Sequence, residues 1–321
     1  MLVPILLFAL GLVLLIKGGD WFVDGATGLA RRFRIPEIIV GATVVSIGTT
    51  LPEVMVSATG ALEGLGSMAY GNAIGSVICN TSLIAAITLA VRPGTVDRKS
   101  LRMPVLFFFG AAALYCGTAY LTGYFSRPLG FVLLAIFVIY MVITIRQGFK
   151  NPTEQEEDCE EEKQRKLWQE LVLLVVGAAV IAVGARLLVD NGTLIARELG
   201  VPETVIALTF VALGTSLPEL VTAITSLAKG HGSLSLGNVI GANLFNLVLV
   251  SGVSVSLAPF EVPSASQFLG YNASLVLDIP VMLGVMLLLT VPPLVSGRLR
   301  RWQGILLLCI YAAYCVLQFT M

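Results

Sequence analysis

The stretch DGATGLARRFRIPEIIVGATVVSIGTTLPE (24–53) lies without a gap on DNGTLIARELGVPETVIALTFVALGTSLPE (190–219), at a constant offset of 166 residues. Asp24 matches Asp190, Ala30–Arg31 match Ala196–Arg197, Pro36–Glu37 match Pro202–Glu203, and Thr43 matches Thr209. The register continues, with GLGSMAYGNAIGSVICN (64–80) on GHGSLSLGNVIGANLFN (230–246). Shared apolar composition cannot place Asp, Arg, Pro, Glu and Asn at one offset. The chain is an internal duplication.

What is duplicated is membrane sequence. Of 321 residues, 56% are hydrophobic and only 12% charged, about half the charged share of a soluble domain. Apolar runs of the length needed to cross a bilayer recur throughout. They fall at 2–30, 37–63, 67–91, 101–122, 128–147, 168–196, 203–228, 233–257, 268–292 and 301–320. The first run lacks a basic leader and a small-residue cleavage site, so it reads as a retained span. Net charge is zero, which gives no field for nucleic acid. The five cysteines show no CxxC spacing, and the four in apolar spans read as buried small hydrophobes.

Five spans precede the acidic segment NPTEQEEDCEEEKQRK (151–166) and five follow it. An odd number per copy makes the copies insert with opposite orientation, the inverted-repeat plan of many secondary transporters. The expected fold is therefore an all-α polytopic membrane protein of about ten helices. Its parts are a first repeat at 1–147, an acidic cytoplasmic linker at 148–167 that reads as a solvated hinge, and a second repeat at 168–321. Placing both termini outside puts Arg31, Arg32, Arg34, Arg92, Arg98, Lys99, Arg102, Lys229 and most other basic residues in inner loops. The outer loops then hold only Arg127 and Arg197. That is the bias of a multi-pass protein with a basic cytoplasmic face.

The polar residues within the spans carry the chemistry. Glu53 follows Thr49 by four positions and Thr50 by three, so all three share one helix face; Glu219, Thr215 and Ser216 repeat this. On the following span Asn72, Ser76 and Asn80 are spaced four and four, matched by Asn238, Ala242 and Asn246. Pro52 and Pro218 cannot bond to the carbonyls four residues earlier, which predicts free C=O groups at Gly48 and Gly214. Carboxylates, hydroxyls, amides and carbonyls are hard oxygen ligands for Na⁺, Ca²⁺ or Mg²⁺. The single histidine, His231, falls in a loop, and no HExxH motif or Ser–His arrangement suggests an enzyme. No Lys or Arg accompanies Glu53 or Glu219 in their spans, so a cation must offset their charge. Asp24, Asp190, Asp20, Lys17 and Arg186 read as helix-end anchors or partners across the repeat. Asp278 has no counterpart at the same offset and no assigned role.

At GTTLPE (48–53) with GNAIGSVICN (71–80), and GTSLPE (214–219) with GNVIGANLFN (237–246), the chain resembles the Ca²⁺/cation antiporter superfamily. The resemblance covers the duplicated parts, with motifs at 41–85 and 207–251. It implies a cluster of cation sites between spans two, three, seven and eight, in a protein of the bacterial plasma (inner) membrane. Glu53 and Glu219 would coordinate Ca²⁺ and share it with Na⁺ in alternation. Thr49, Thr50, Ser76, Thr215 and Ser216 would add oxygens for Na⁺, as would the backbone carbonyls of Ser46 and Ala212, with Asn80 a polar member. Many Na⁺/Ca²⁺ members have Asp at the place of Asn246 and Ser at that of Ala242; some bacterial members carry Asn at the former. The implied activity is Ca²⁺/Na⁺ antiport by alternating access, with no cofactor and inorganic cations as the only substrates. Ca²⁺/H⁺ exchange on the same fold, and a cation channel, are its alternatives.

Overall fold

The computed structural model describes residues 2–150, 165–200 and 214–320. Nine of the described helices are long and apolar enough to cross a membrane. They are α1 (Leu2–Phe33), α2 (Glu37–Leu62), α3 (Gly66–Val91), α4 (Arg98–Thr122), α5 (Arg127–Phe149), α6 (Leu167–Glu198), α8 (Gly232–Leu257), α9 (Ser274–Ser296) and α10 (Arg301–Gln318). Between α6 and α8 lies α7, Leu217–Ala228. The span expected at 203–228 is described only from Gly214 onward, and the acidic segment lies outside the described residues.

Helices α2, α3, α7 and α8 pack on one another and form the centre. Among the described spans α8 is the most deeply buried, while α1 and α10 keep broad apolar faces outward, where lipid would lie. Placement on the rim corrects the reading of the cysteines. Cys79 and Cys116 are buried, but Cys309 is exposed and Cys315 partly so, because both sit on α10; Cys159 lies outside the described residues. Lipid and protein interior impose the same apolar composition, so sequence does not separate them.

Helices α1 and α6 are each 32 residues long, about 48 Å at 1.5 Å per residue, and run against each other along most of that length. Glycines allow it. A Cβ on Gly25 would stand 2.6 Å from the Leu174 amide nitrogen, and one on Gly177 would stand 2.5 Å from that of Phe22. The backbones touch, as in small-residue seams between membrane helices.

Among the described residues, four short π-helical segments interrupt the central and ninth spans: Gly41–Val45 in α2, Asn80–Ala85 in α3, Asn246–Val250 in α8 and Ser274–Asp278 in α9. Those in α3 and α8 start at positions 166 apart. Such wide turns concentrate at functional sites. The two prolines act differently. Pro52 sits inside the continuous helix Ser46–Leu62, whereas Thr215 and Ser216 form a turn and Pro218 falls in the first turn of a helix that restarts at Leu217. Among the described residues, the helix is continuous through Pro52 with a wide turn at Gly41–Val45 ahead of it, and turn residues precede Pro218; the segment equivalent to 41–45 lies outside the described residues.

The ninth span begins at Ser274, not 268. Gln267–Phe268 pairs with Tyr271–Asn272 across Leu269 and Gly270, both at positive φ (53° and 81°), the backbone of a tight two-residue hairpin. The apolar Phe268 and Leu269 imitate a helix start in sequence.

A matched pair of clamps joins the copies. At one end the α4 cap residue Gly123 is left-handed, and its carbonyl accepts from the Val262 amide (2.8 Å) beside the strand pair Tyr124–Phe125 and Phe260–Glu261. At the other end the α9 cap residue Gly297 is left-handed, and its carbonyl accepts from the Val96 amide (3.0 Å) beside a Thr95–Arg298 bridge. Val96 and Val262 are 166 apart.

Helix α4 starts on an N-cap. The Asp97 carboxylate accepts from the Ser100 hydroxyl (2.6 Å) and from the Ser100 and Lys99 amides (3.0 and 3.1 Å). Partial burial alone would raise the Asp97 pKa, but these bonds together outweigh it and hold the carboxyl below its ordinary range. The folded value being depressed, the cap's contribution is complete above the unfolded pKa and lost as pH falls through the folded one. Asp97→Ala is expected to destabilise the protein by about 1 kcal/mol, read as a lower Tm at neutral pH, with the difference from wild type shrinking in acid.

Candidate cation site

The two copies meet through one contact made twice. The Thr49 hydroxyl donates to Asn238 Oδ1 at 3.3 Å, and the Thr215 hydroxyl donates to Asn72 Oδ1 at 3.4 Å. Both partners shift by 166 and the copies exchange roles, the mark of a two-fold relation. The fold is accordingly two inverted five-helix repeats, and the crossing point of that two-fold is where the motifs converge.

Glu53 and Glu219 are both fully buried there. Among the described residues, none of their four carboxylate oxygens has a hydrogen-bond partner within geometric limits, and neither group is ion-paired. The Thr50 hydroxyl and both side-chain polar atoms of Asn80 and Asn246 are likewise buried and without partners. An unpartnered buried polar atom costs about 1–3 kcal/mol, and a charged one more. Concentrating this many in one place is tolerable only if something else binds them.

The surrounding hydroxyls are oriented. Ser46 Oγ donates to the Gly41 carbonyl (2.8 Å), inside the first π segment, and lies 3.0 Å from the Asn238 carbonyl. A hydroxyl whose proton is committed to a carbonyl turns a lone pair the other way. Asn72 Nδ2 donates to Ser57 Oγ (2.8 Å) and to the Glu53 carbonyl (3.2 Å), fixing α3 against α2. Ser76 lies one turn before Asn80 and is buried, as is Ser216, which adjoins Cys79. Thr49 is buried and Thr215 half-buried. Ala212 lies outside the described residues.

No group of three or more His, Cys, Asp or Glu side chains occurs among the described residues. The charged content of the centre is two carboxylates, filled out by neutral oxygens, a donor set that suits hard cations. Asn72 and Asn238 were visible in sequence only as members of a polar face; their roles as reciprocal acceptors across the two-fold emerge in three dimensions.

Several charged residues elsewhere find partners, although no ion pair or hydrogen bond is seen for Lys17 among the described residues. Lys229 Nζ bridges Asp24 Oδ1 (2.7 Å) and Asp20 Oδ1 (3.4 Å), from one copy to the other. Arg186 pairs with Asp190 within α6 (3.6 Å). Arg32 pairs with the buried Glu170 (2.8 Å), and His231 with Glu37 (2.7 Å). Asp278 accepts from Tyr314 (3.0 Å) and Gln318 (2.7 Å), which pins α10 to α9.

The two ends of the bundle are unlike. Leu217 and Val221 of α7 pack into a core with Leu15 and Phe22 of α1. Their counterparts on α2, Leu51 and Met55, are 51% and 66% exposed.

Residues 3–146 and 170–320 match the model of the sodium/calcium exchanger protein family. The chain belongs to that family. It is 35% identical over 308 residues to the uncharacterized membrane protein MJ0091 of Methanocaldococcus jannaschii, covering 95% of this chain and 94% of that one. It is 30% identical over 353 residues to the sodium/calcium exchanger MaX1 of Methanosarcina acetivorans, covering 99% of both. Among solved structures, the sodium-calcium exchanger NCX_Mj soaked with 2.5 mM Na⁺ and 10 mM Sr²⁺ superposes with a TM-score of 0.80 at 34% identity, over 97% of each chain. This exchanger-family member is thus a multi-pass membrane antiporter of inorganic cations.

In ion-free buffer, Glu53→Gln and Glu219→Gln are expected to melt no lower than wild type, since the amide fits the space without the charge. Saturating Ca²⁺ at about 100 times its Kd should stabilise the wild type by about 2.7 kcal/mol and leave both variants unmoved. Thermal melts with and without Ca²⁺ check this.

Proposed function

We propose that the protein exchanges Ca²⁺ for Na⁺ at the crossing of its two repeats, with Glu53 and Glu219 as the shared carboxylates. The observation that carries this reading is the set of four fully buried carboxylate oxygens without a hydrogen-bond partner among the described residues. Two ionised carboxylates present a charge of about −2, which one Ca²⁺ or two Na⁺ neutralise. Thr49, Thr50, Ser76, Asn80, Thr215, Ser216 and Asn246, with the carbonyls of Ser46 and Ala212, complete the oxygens around the two ions' positions.

Competition for one set of oxygens couples the fluxes. An unfilled pocket holds bare charge at membrane depth and is costly to move; a filled one is neutral. The site therefore changes sides carrying one substrate or the other. The unequal ends of the bundle support alternating access, and the charge bias favours a cytoplasmic place for the end bearing Lys229 and Arg32, with both termini outside. The repeats at 1–147 and 168–321 are then two structural units joined by the cytoplasmic segment 148–167.

In proteoliposomes, an outward Na⁺ gradient is expected to drive ⁴⁵Ca²⁺ uptake. Glu53→Gln and Glu219→Gln should each lower it at least about 100-fold, the scale of breaking a buried charge interaction. Near-normal uptake in both variants would remove the carboxylate site. Uptake driven equally well by a pH gradient without Na⁺ would make the protein a Ca²⁺/H⁺ exchanger instead.

A further inference from the structure

Two triads of charge occupy equivalent places at opposite ends of the molecule. Shifting Asp20, Asp24 and Lys229 through the duplication gives Arg186, Asp190 and Glu63. Each triad holds two acids and one base, yet the signs at two of the three positions are reversed. Where copy one offers Asp20 to Lys229 of copy two, copy two offers Arg186 to Glu63 of copy one. A reversal at both partners preserves attraction; a reversal at one would destroy it.

Only one triad is closed. Lys229 spans the copies to Asp20 and Asp24, at the end where α1 lies on α7 and covers Leu217 and Val221. At the opposite end Arg186 pairs along its own helix with Asp190, with side-chain exposures of 84% and 62%. Glu63 forms no ion pair among the described residues, and Leu51 and Met55 below it are exposed. We infer that the triads are alternating latches: when the Lys229 end opens, α6 settles on α2 and Arg186, still beside Asp190, closes on Glu63. This rests on the alternating-access reading of the exchanger.

The pair between Arg186 and Glu63 is absent from this structure, so charge-swap rescue tests it directly. Arg186→Glu and Glu63→Arg are each expected to slow Na⁺-driven ⁴⁵Ca²⁺ uptake by about fivefold, the scale of one partly exposed ion pair. The double variant should return to within about twofold of wild type, with Tm unchanged throughout. Single variants at wild-type rate, or a double variant no faster than the slower single, would overturn the latch. If wild-type protein moves no Ca²⁺, the exchange reading itself fails, and the latch with it.

A second, independent observation concerns the face of α7 between Glu219 and Lys229. Thr222 and Ser226 follow Glu219 by three and seven positions on one face of α7 and lead toward that end. Both are fully buried, and both hydroxyls lack any partner. Their counterparts in copy one are Val56 and Gly60, which carry no hydroxyl. The geometry points to a ladder of oxygens that hands a cation between Glu219 and that face of the membrane when α1 lifts. Thr222→Val and Ser226→Ala should lower Ca²⁺ turnover by about tenfold, the value of one lost hydrogen bond to an ion. Equilibrium ⁴⁵Ca²⁺ binding should be unchanged and Tm equal or higher, because an unpartnered buried hydroxyl is being removed; Thr222→Ser should restore turnover. Wild-type turnover in both, or a loss matched by weaker binding or lower Tm, would overturn the assignment.

Discussion

A carboxylate surrounded by protein at membrane depth cannot stay charged without a counter-charge, and here there are two. Everything else in the centre answers that constraint. Four helices converge on Glu53 and Glu219, no basic side chain among the described residues pairs with them, the Ser46 hydroxyl spends its proton on a backbone carbonyl, and those of Thr49 and Thr215 donate to asparagine side chains. A lysine at this position would have solved the electrostatics permanently and left nothing to transport. On the proposed reading, the protein leaves the problem open where a mobile cation can close it.

The same economy explains the π segments. Each wide turn advances the helix by one extra residue and rotates the turns beyond it, and Asn80 and Asn246 stand at the first residue of two of them. The Thr49–Asn238 and Thr215–Asn72 contacts then lock the crossing of the helices. Position and charge are thus set by different residues: amides and hydroxyls hold the frame, and the two glutamates supply the field.

Much of this was legible in sequence, for identifiable reasons. Polar residues are so rare in membrane spans that GTTLPE and GTSLPE stand out, and a constant offset of 166 reveals both the duplication and its two-fold partners. Backbone opening was harder to read. Pro52 and Pro218 look equivalent, yet one lies inside a helix and the other falls in the first turn of one, a difference that the matching motifs do not encode. Lipid-facing and core-facing residues were also indistinguishable, as Cys309 illustrates. The start of α9 was displaced by an apolar hairpin whose left-handed turn residues include a leucine, an uncommon choice that composition does not announce. The partner of Asp278 was hidden because Tyr314 and Gln318 belong to a helix that has no sequence pattern pointing at it.

The matched clamps at Gly123 and Gly297 have a mechanical meaning. Each sews a loop of one copy to a loop of the other, one at each face of the membrane. A body riveted at both faces behaves as a stator: its loops cannot shear past one another without breaking backbone hydrogen bonds. Helices α1 and α6 stand outside these rivets, joined to each other by a seam of bare backbone. On the proposed exchange reading, motion is then expected in this unriveted pair of helices and not in the riveted body, so the α1–α6 seam would travel as one unit.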